Sequence, residues 1–253
     1  MSISREELIQ AVQGMVTREP WILAAWLGGS DASGRTDLLS DVDLHLIVDD
    51  QDVSRAFGCI ESMLEEMGGI AHCWKVAMPT WHGHDQAVYM PQECAGHLCL
   101  DLLVMKRSSR GWFLEKERHG EAVVIVDHDG LLEGHELDRD EIRQRRIEMI
   151  AHHARSLPVR MEVVEKAIAR GHWVEVGIRY HAHVLRPLID LMRCEHCPDR
   201  FDFADRYLDR DLPEGELSLL EDLALPAKGP DVSRVMKRAR GEIENRLSRF
   251  QSH

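Results

Sequence analysis

The sequence predicts an α+β chain, with a small mixed-sheet domain followed by an all-α helical bundle. Three observations predict it. Up to residue 127, short apolar runs of strand length alternate with glycine-rich or polar punctuation. After residue 137 the pattern becomes long, charged and helical in period. Between the two, residues 127–137 gather Asp, His and Gly, the composition of a connection. The expected domains are therefore 1–130 and 137–253, and 253 residues is comfortable for two.

The elements follow in order. Ser4-Arg5-Glu6-Glu7 has capping-box spacing, and Leu8, Val12 and Met15 then recur on one helical face. Pro20 marks the stop after Arg18. Trp21 to Leu27 reads as a strand ended by Gly28-Gly29-Ser30, and residues 31–40 read as a loop. Asp41 to Val48 is a second strand. A helix follows it, with Val53, Phe57, Ile60, Leu64 and Met67 on its apolar face and Gly68-Gly69 as its stop. Ile70–Val76, Ala87–Met90, Leu98–Met105 and Ala122–Val126 are the remaining strands.

In the second half, residues 138–156 form a helix that Pro158 is expected to break, followed by one over 160–170 ending at Gly171. A third runs from Trp173 to Cys194, with a kink or break expected at Pro187. Two more are expected near 214–223 and 231–249, separated by Pro226 to Pro230.

Composition narrows the function. The apolar fraction of 44% supports ordinary cores, and no run is long and apolar enough to span a bilayer. The polar N-terminus lacks the pattern of a signal peptide, so a cytoplasmic location is expected. A formal charge of −13 argues against a long nucleic-acid partner and suits a small, cationic acceptor. Cys194 and Cys197 form a Cys-x-x-Cys, but no second pair completes a zinc site, so free thiols are expected.

The chemistry concentrates in Gly28-Gly29-Ser30, the loop that follows, and Asp41-Val42-Asp43. Residues i and i+2 of a strand share a face, so the two aspartates project together. Two carboxylates bracketing Val42 in an apolar strand repel each other, and a cation resolves that cost. Glycine lets a backbone approach a phosphate closely, and Ser30 adds a donor. Asp101 is a lone carboxylate in the apolar run Leu98 to Val104, and buried charge needs a partner. If its strand lies beside that of Asp41, three carboxylates converge. Asp41, Asp43 and Asp101 are thus the expected catalytic and metal-binding residues, with Asp101 as ligand, general base or both. Gly28, Gly29 and Ser30 are the expected phosphate-binding residues.

These residues resemble the signature of the polymerase-β-like nucleotidyltransferase superfamily: Gly-Gly or Gly-Ser, a loop, Asp-x-Asp and a distant third carboxylate. The match covers about residues 21 to 105. A helical bundle after such a domain is similar to the two-domain aminoglycoside and lincosamide nucleotidyltransferases. The resemblance implies magnesium, one ion or two, and an NTP, with ATP as the expected donor. It implies transfer of a nucleoside monophosphate to an acceptor hydroxyl. The alternatives are a nucleotidyltransferase that modifies a protein partner and a non-catalytic nucleotide-binding module. A tRNA nucleotidyltransferase is disfavoured by the acidic balance.

Secondary candidates are weaker. Arg179 and Arg186, with His183, lie on or near one helix and are candidates for triphosphate contacts, against an ordinary solvated helix face. Asp202 and Tyr207 are candidates for an acceptor cleft, and Glu93 is a second candidate base. Trp74, Trp81 and His82 are read as core packing in preference to stacking on a base. The histidine pairs 152–153 and 181–183 do not share a helix face and are not read as metal ligands.

Overall fold

The computed structural model describes residues 2–94, 96–109, 111–224 and 230–251, the last stretch without the side chains of 230 and 231. The chain forms two compact units, residues 1–137 and 138–253.

The first unit is built on one mixed sheet of six strands: β1 (Ile22–Leu27), β2 (Val42–Val48), β3 (Ile70–Lys75), β4 (Asp85–Pro91), β5 (Leu100–Lys106) and β6 (Val123–Asp127). Their order across the sheet is β3-β4-β5-β2-β1-β6. Only β2 and β5 run parallel; every other neighbouring pair is antiparallel. A parallel pair needs a long crossover, and here helix α3 (Val53–Glu66) and the β3–β4 hairpin supply it.

Each central strand alternates between two differently covered faces. Val42, Leu44, Leu46 and Val48 of β2, with Leu100, Leu102 and Val104 of β5, pack with Leu8, Val12 and Val16 of α1 (Arg5–Arg18) and Ile60 and Leu64 of α3. The opposite face carries Trp26, Ile47, Leu103 and Met105, packed with Trp112, Phe113, Leu114 and Leu132 from the segments around β6. Helix α1 starts as its sequence dictates: both hydrogen bonds of the capping box between Ser4 and Glu7 form. The glycine-serine stretch differs from expectation, because residues 29–33 close a short helix, α2 (Gly29–Ser33), where a loop was read. Its first turn forms because the Ala32 N–H donates to the Gly28 carbonyl.

The second unit is helical: α5 (Arg139–Ala169), α6 (Trp173–Tyr180), α7 (Arg186–His196), α8 (Leu208–Asp211), α9 (Glu214–Ala224) and α10 (Pro230–Gln251), after the short α4 (Lys116–His119) of the first unit. Pro158 does not break its helix. It lies inside α5, where one missing backbone N–H is tolerated because Leu157, Met161 and Val164 beside it are locked into the bundle core. The irregularity at Pro187 does occur, as a π-type turn over residues 181–185 that precedes α7. The separation expected over Pro226 to Pro230 falls mostly outside the described residues. Arg193 anchors the bundle from within. Its guanidinium is fully buried and donates to Asp211 at 2.9 Å and to the carbonyls of Ala204, Arg200 and Arg206.

Among the described residues, no helix is long and apolar enough to cross a membrane.

Candidate active site

The parallel pairing of β2 and β5 sets Asp43 directly opposite Asp101. Both strands turn their apolar residues at 42, 44, 100 and 102 to the helices, so Asp43 and Asp101 emerge side by side on the other face. Asp41 sits one residue before β2. Its backbone carbonyl accepts from Arg5, and its carboxylate Oδ1 accepts the Cys99 N–H at 2.9 Å, just before β5 begins.

The glycine pair closes on this edge. The Gly28 N–H donates to the Asp43 carbonyl at 2.9 Å, pinning the turn after β1 to β2. Gly29 has φ +52°, and a Cβ there would fall within the Asp43 carboxylate. A Cβ at Gly28 would come within 2.8 Å of the His45 ring. Glycine at both positions therefore follows from close approach, and at 29 also from the left-handed backbone. The Ser30 hydroxyl is buried with no hydrogen-bond partner, a state that costs free energy until something binds it.

Charge at this edge is unbalanced. Burial first, then the neighbouring charges of Asp101, Asp41 and Asp31, push the Asp43 carboxyl up to about 6, with Arg5 opposing. Burial also raises Asp101, against the hydrogen bond it receives from Gln86. The Gln86 Nε2 donates to both Asp101 oxygens, at 2.8 and 3.0 Å. Arg5 is the cation of the site. It donates to the carbonyls of Ser40 and Asp41, each at 3.1 Å, and pairs with Asp31. Helix α1 thereby ties down the segment between Ser30 and Asp43.

Further along the same face, His45 lies edge-on to Trp26 with ring centroids 5.1 Å apart. Burial, then the neighbouring His84 and His82, lower its pKa to about 4, so the ring is neutral at pH 7. Phe113, with φ +58°, packs against His82, His84 and His119 at centroid distances of 5.9, 5.6 and 5.2 Å. Trp81 and Trp74 do not serve as core: they are 79% and 65% exposed. Both lie at or near the β3–β4 hairpin, where the outer face of the edge strand β3 is left uncovered.

The structure thus brings Gly28, Gly29, Ser30, Asp43 and Asp101 together, with Asp41 at the rim of the group. Among the described residues, no group of three or more His, Cys, Asp or Glu side chains stands arranged to hold a metal ion. Glu93 is exposed, in the connection before β5. The remaining candidates belong to the second unit. Arg179 pairs with Glu175 at 2.8 Å and Arg186 with Asp190 at 3.0 Å, while Arg160 donates to His183. Asp202 pairs with Arg145, and Tyr207 lies under the Arg210 guanidinium. Cys194 and Cys197 are buried free thiols. Sequence reasoning missed Arg5, Gln86 and His45. His45 carried a signal, as the next residue on the Asp41–Asp43 face of β2; Arg5 and Gln86 carried none, because nothing local marks a partner so far along the chain.

No family model matches the chain, and no curated protein matches it. Among solved structures, it is similar to a nucleotidyltransferase-like protein from Exiguobacterium sibiricum 255-15. That match has 14% identity and a TM-score of 0.38, and covers 94% of this chain and 74% of the other.

Proposed function

We propose that the chain is an enzyme catalysing magnesium-dependent transfer of a nucleoside monophosphate, AMP from ATP, to a hydroxyl of a small-molecule acceptor, with release of pyrophosphate. The observation that carries this reading is the register of Asp43 and Asp101: two carboxylates side by side on parallel strands, with the Gly28-Gly29 backbone packed against Asp43. Their donor set is all oxygen, which suits a hard cation such as magnesium. Magnesium usually takes one or two protein carboxylates and completes its shell with water and phosphate oxygens, so a pair with Asp41 nearby is sufficient. When bound, it supplies the charge that offsets the triphosphate.

The chain's own residues divide the work. Asp43 and Asp101, with Asp41, hold the cation. Ser30 donates its unpartnered hydroxyl to a phosphate oxygen, and the glycines let the backbone come close. In the transfer, the acceptor oxygen bonds to the α-phosphorus while the bond to the pyrophosphate oxygen breaks. The acceptor's proton passes to Asp101, which keeps lone pairs free beside its bonds from Gln86. The acidic chain, at −13, favours a cationic acceptor, and aminoglycoside- or lincosamide-like amines are the class we propose.

The test is pyrophosphate release from ATP and magnesium across a panel of aminoglycosides, lincosamides and other polyhydroxylated amines, with Asp43→Ala as control. Acceptor-dependent release that disappears in the variant is the expected result. No release with any acceptor, although ATP and magnesium bind, turns the reading to a protein acceptor. Absence of binding removes the enzymatic reading altogether.

A further inference from the structure

We infer that Gln86, oriented by His82, is the positioning residue of the Asp101 carboxylate. This rests on the reading of Asp101 as part of a nucleotidyl-transfer site.

The placement follows from the sheet. Val88 is the register partner of Asp101 on β4, and Gln86 lies two residues along, on the same face. Such diagonal neighbours are within reach of a long side chain. Gln86 uses that reach, and its one amide nitrogen holds both carboxylate oxygens at 2.8 and 3.0 Å.

An amide is nearly symmetric in shape, so its neighbours must decide which end points where. Here they do. The backbone N–H of His84 donates to His82 Nδ1 at 3.1 Å. With that bond Nδ1 is an acceptor, the Thr80 hydroxyl lies 3.2 Å from the same nitrogen, and the ring proton is left to Nε2. Nε2 lies 3.3 Å from Gln86 Oε1 and donates to it. Turned around, Gln86 would set its oxygen against a carboxylate and its NH2 against an N–H. Both ends of the amide thus enforce one orientation. The turn that carries His82 is itself closed by the Thr80 hydroxyl, which donates to the His84 carbonyl at 2.8 Å.

The consequence is a carboxylate that cannot swivel without breaking a hydrogen bond. Each Asp101 oxygen keeps further lone pairs for a cation or an incoming proton. Groups that hold a ligand in this way typically change metal affinity about 10- to 100-fold when lost.

The test is Mn2+ binding to the full chain with ATP present, followed by the EPR signal of free Mn2+, for wild type, Gln86→Met, Gln86→Asn, His82→Leu and Asp43→Ala. Gln86→Met keeps the volume and removes the donor. Gln86→Asn keeps the amide and withdraws it by one methylene, which guards against a variant that fails to fold. Thermal melts verify folding. A merely structural role would lower the melting temperature and leave Mn2+ affinity of the folded protein unchanged. We expect both Gln86 variants to fold and to bind Mn2+ about tenfold or more weakly, and His82→Leu to show a smaller loss. Wild-type affinity in a folded Gln86 variant overturns the proposal. Unchanged affinity in folded His82→Leu overturns the part assigned to His82. If wild type and Asp43→Ala alike fail to bind Mn2+, the nucleotidyl-transfer reading falls, and this proposal falls with it.

Discussion

Asp43 and Asp101 are register partners on the parallel strand pair β2–β5, and the Asp101 charge raises the cost of ionising Asp43. Stability should therefore depend on pH in a definite direction. Asp43 holds its proton to about pH 6 when folded, against about 3.8 otherwise. The folded state binds more protons in that window, so stability falls as pH rises from about 4 to 6 and then levels off. The full effect is about 3 kcal/mol. Asp43→Asn should flatten this slope and raise the melting temperature at pH 7 in chelator. Denaturant melts at a series of pH values decide it, and an unchanged slope in the variant removes Asp43 as its origin.

Gly29→Ala should be harmful on two counts. A non-glycine residue at φ +52° costs about 1–2 kcal/mol. The new methyl also displaces the Asp43 carboxylate, and misplacement of about 1 Å costs roughly 100-fold in rate. Circular dichroism should report an intact fold and the turnover assay a loss of at least that size. Near-normal turnover would show that the carboxylate can yield without consequence.

Ser30→Ala should separate stability from binding. The buried hydroxyl has no partner, so its removal should leave the ligand-free protein as stable as before or slightly more so. With a phosphate bound, a charge-assisted hydrogen bond is lost, worth about 1.5–3 kcal/mol. Calorimetry with ATP and magnesium should show binding weaker by roughly 10- to 150-fold. Equal affinity would take Ser30 out of the phosphate cradle.

Arg193→Leu should unfold the second unit first. Burial alone would raise Asp211, but hydrogen bonds from Arg210, Arg200 and Arg193 outweigh it and hold the carboxyl below its ordinary range. Deleting the fully buried partner leaves that charge less compensated, and broken buried pairs cost about 3–5 kcal/mol. Scanning calorimetry should show a transition shifted down by several degrees. A shift near zero would mean that Arg200 and Arg210 suffice.

What could be read along the chain was whatever depended on near neighbours. Ser4 and Glu7 announce the first helix because both halves of the cap lie within one turn. Asp101 stood out because a carboxylate amid Leu98 to Val104 demands a reason. Pro158 misled, because proline's local cost was weighed without the contacts of Leu157 and Met161 that offset it. Trp74 misled in the opposite sense, since a large aromatic was assumed buried although the edge strand β3 offers nothing to bury it. Arg5 and Gln86 were invisible for a simpler reason. Their roles rest on partners 26 and 15 residues away, and no local pattern encodes such a meeting.

The crossover between β2 and β5 separates two distances that a linear motif confuses. The gap between the Asp43 and Asp101 side chains is set by the spacing of adjacent strands, a property of backbone hydrogen bonding. The length of chain between them is set by a helix and a hairpin with no part in that spacing. Insertions or deletions in the connection between α3 and β3 can therefore accumulate while the carboxylates stay in place. Any pattern that fixes the count of residues from Asp43 to Asp101 will miss chains that share this geometry, whereas a search on paired strands and their register will find them.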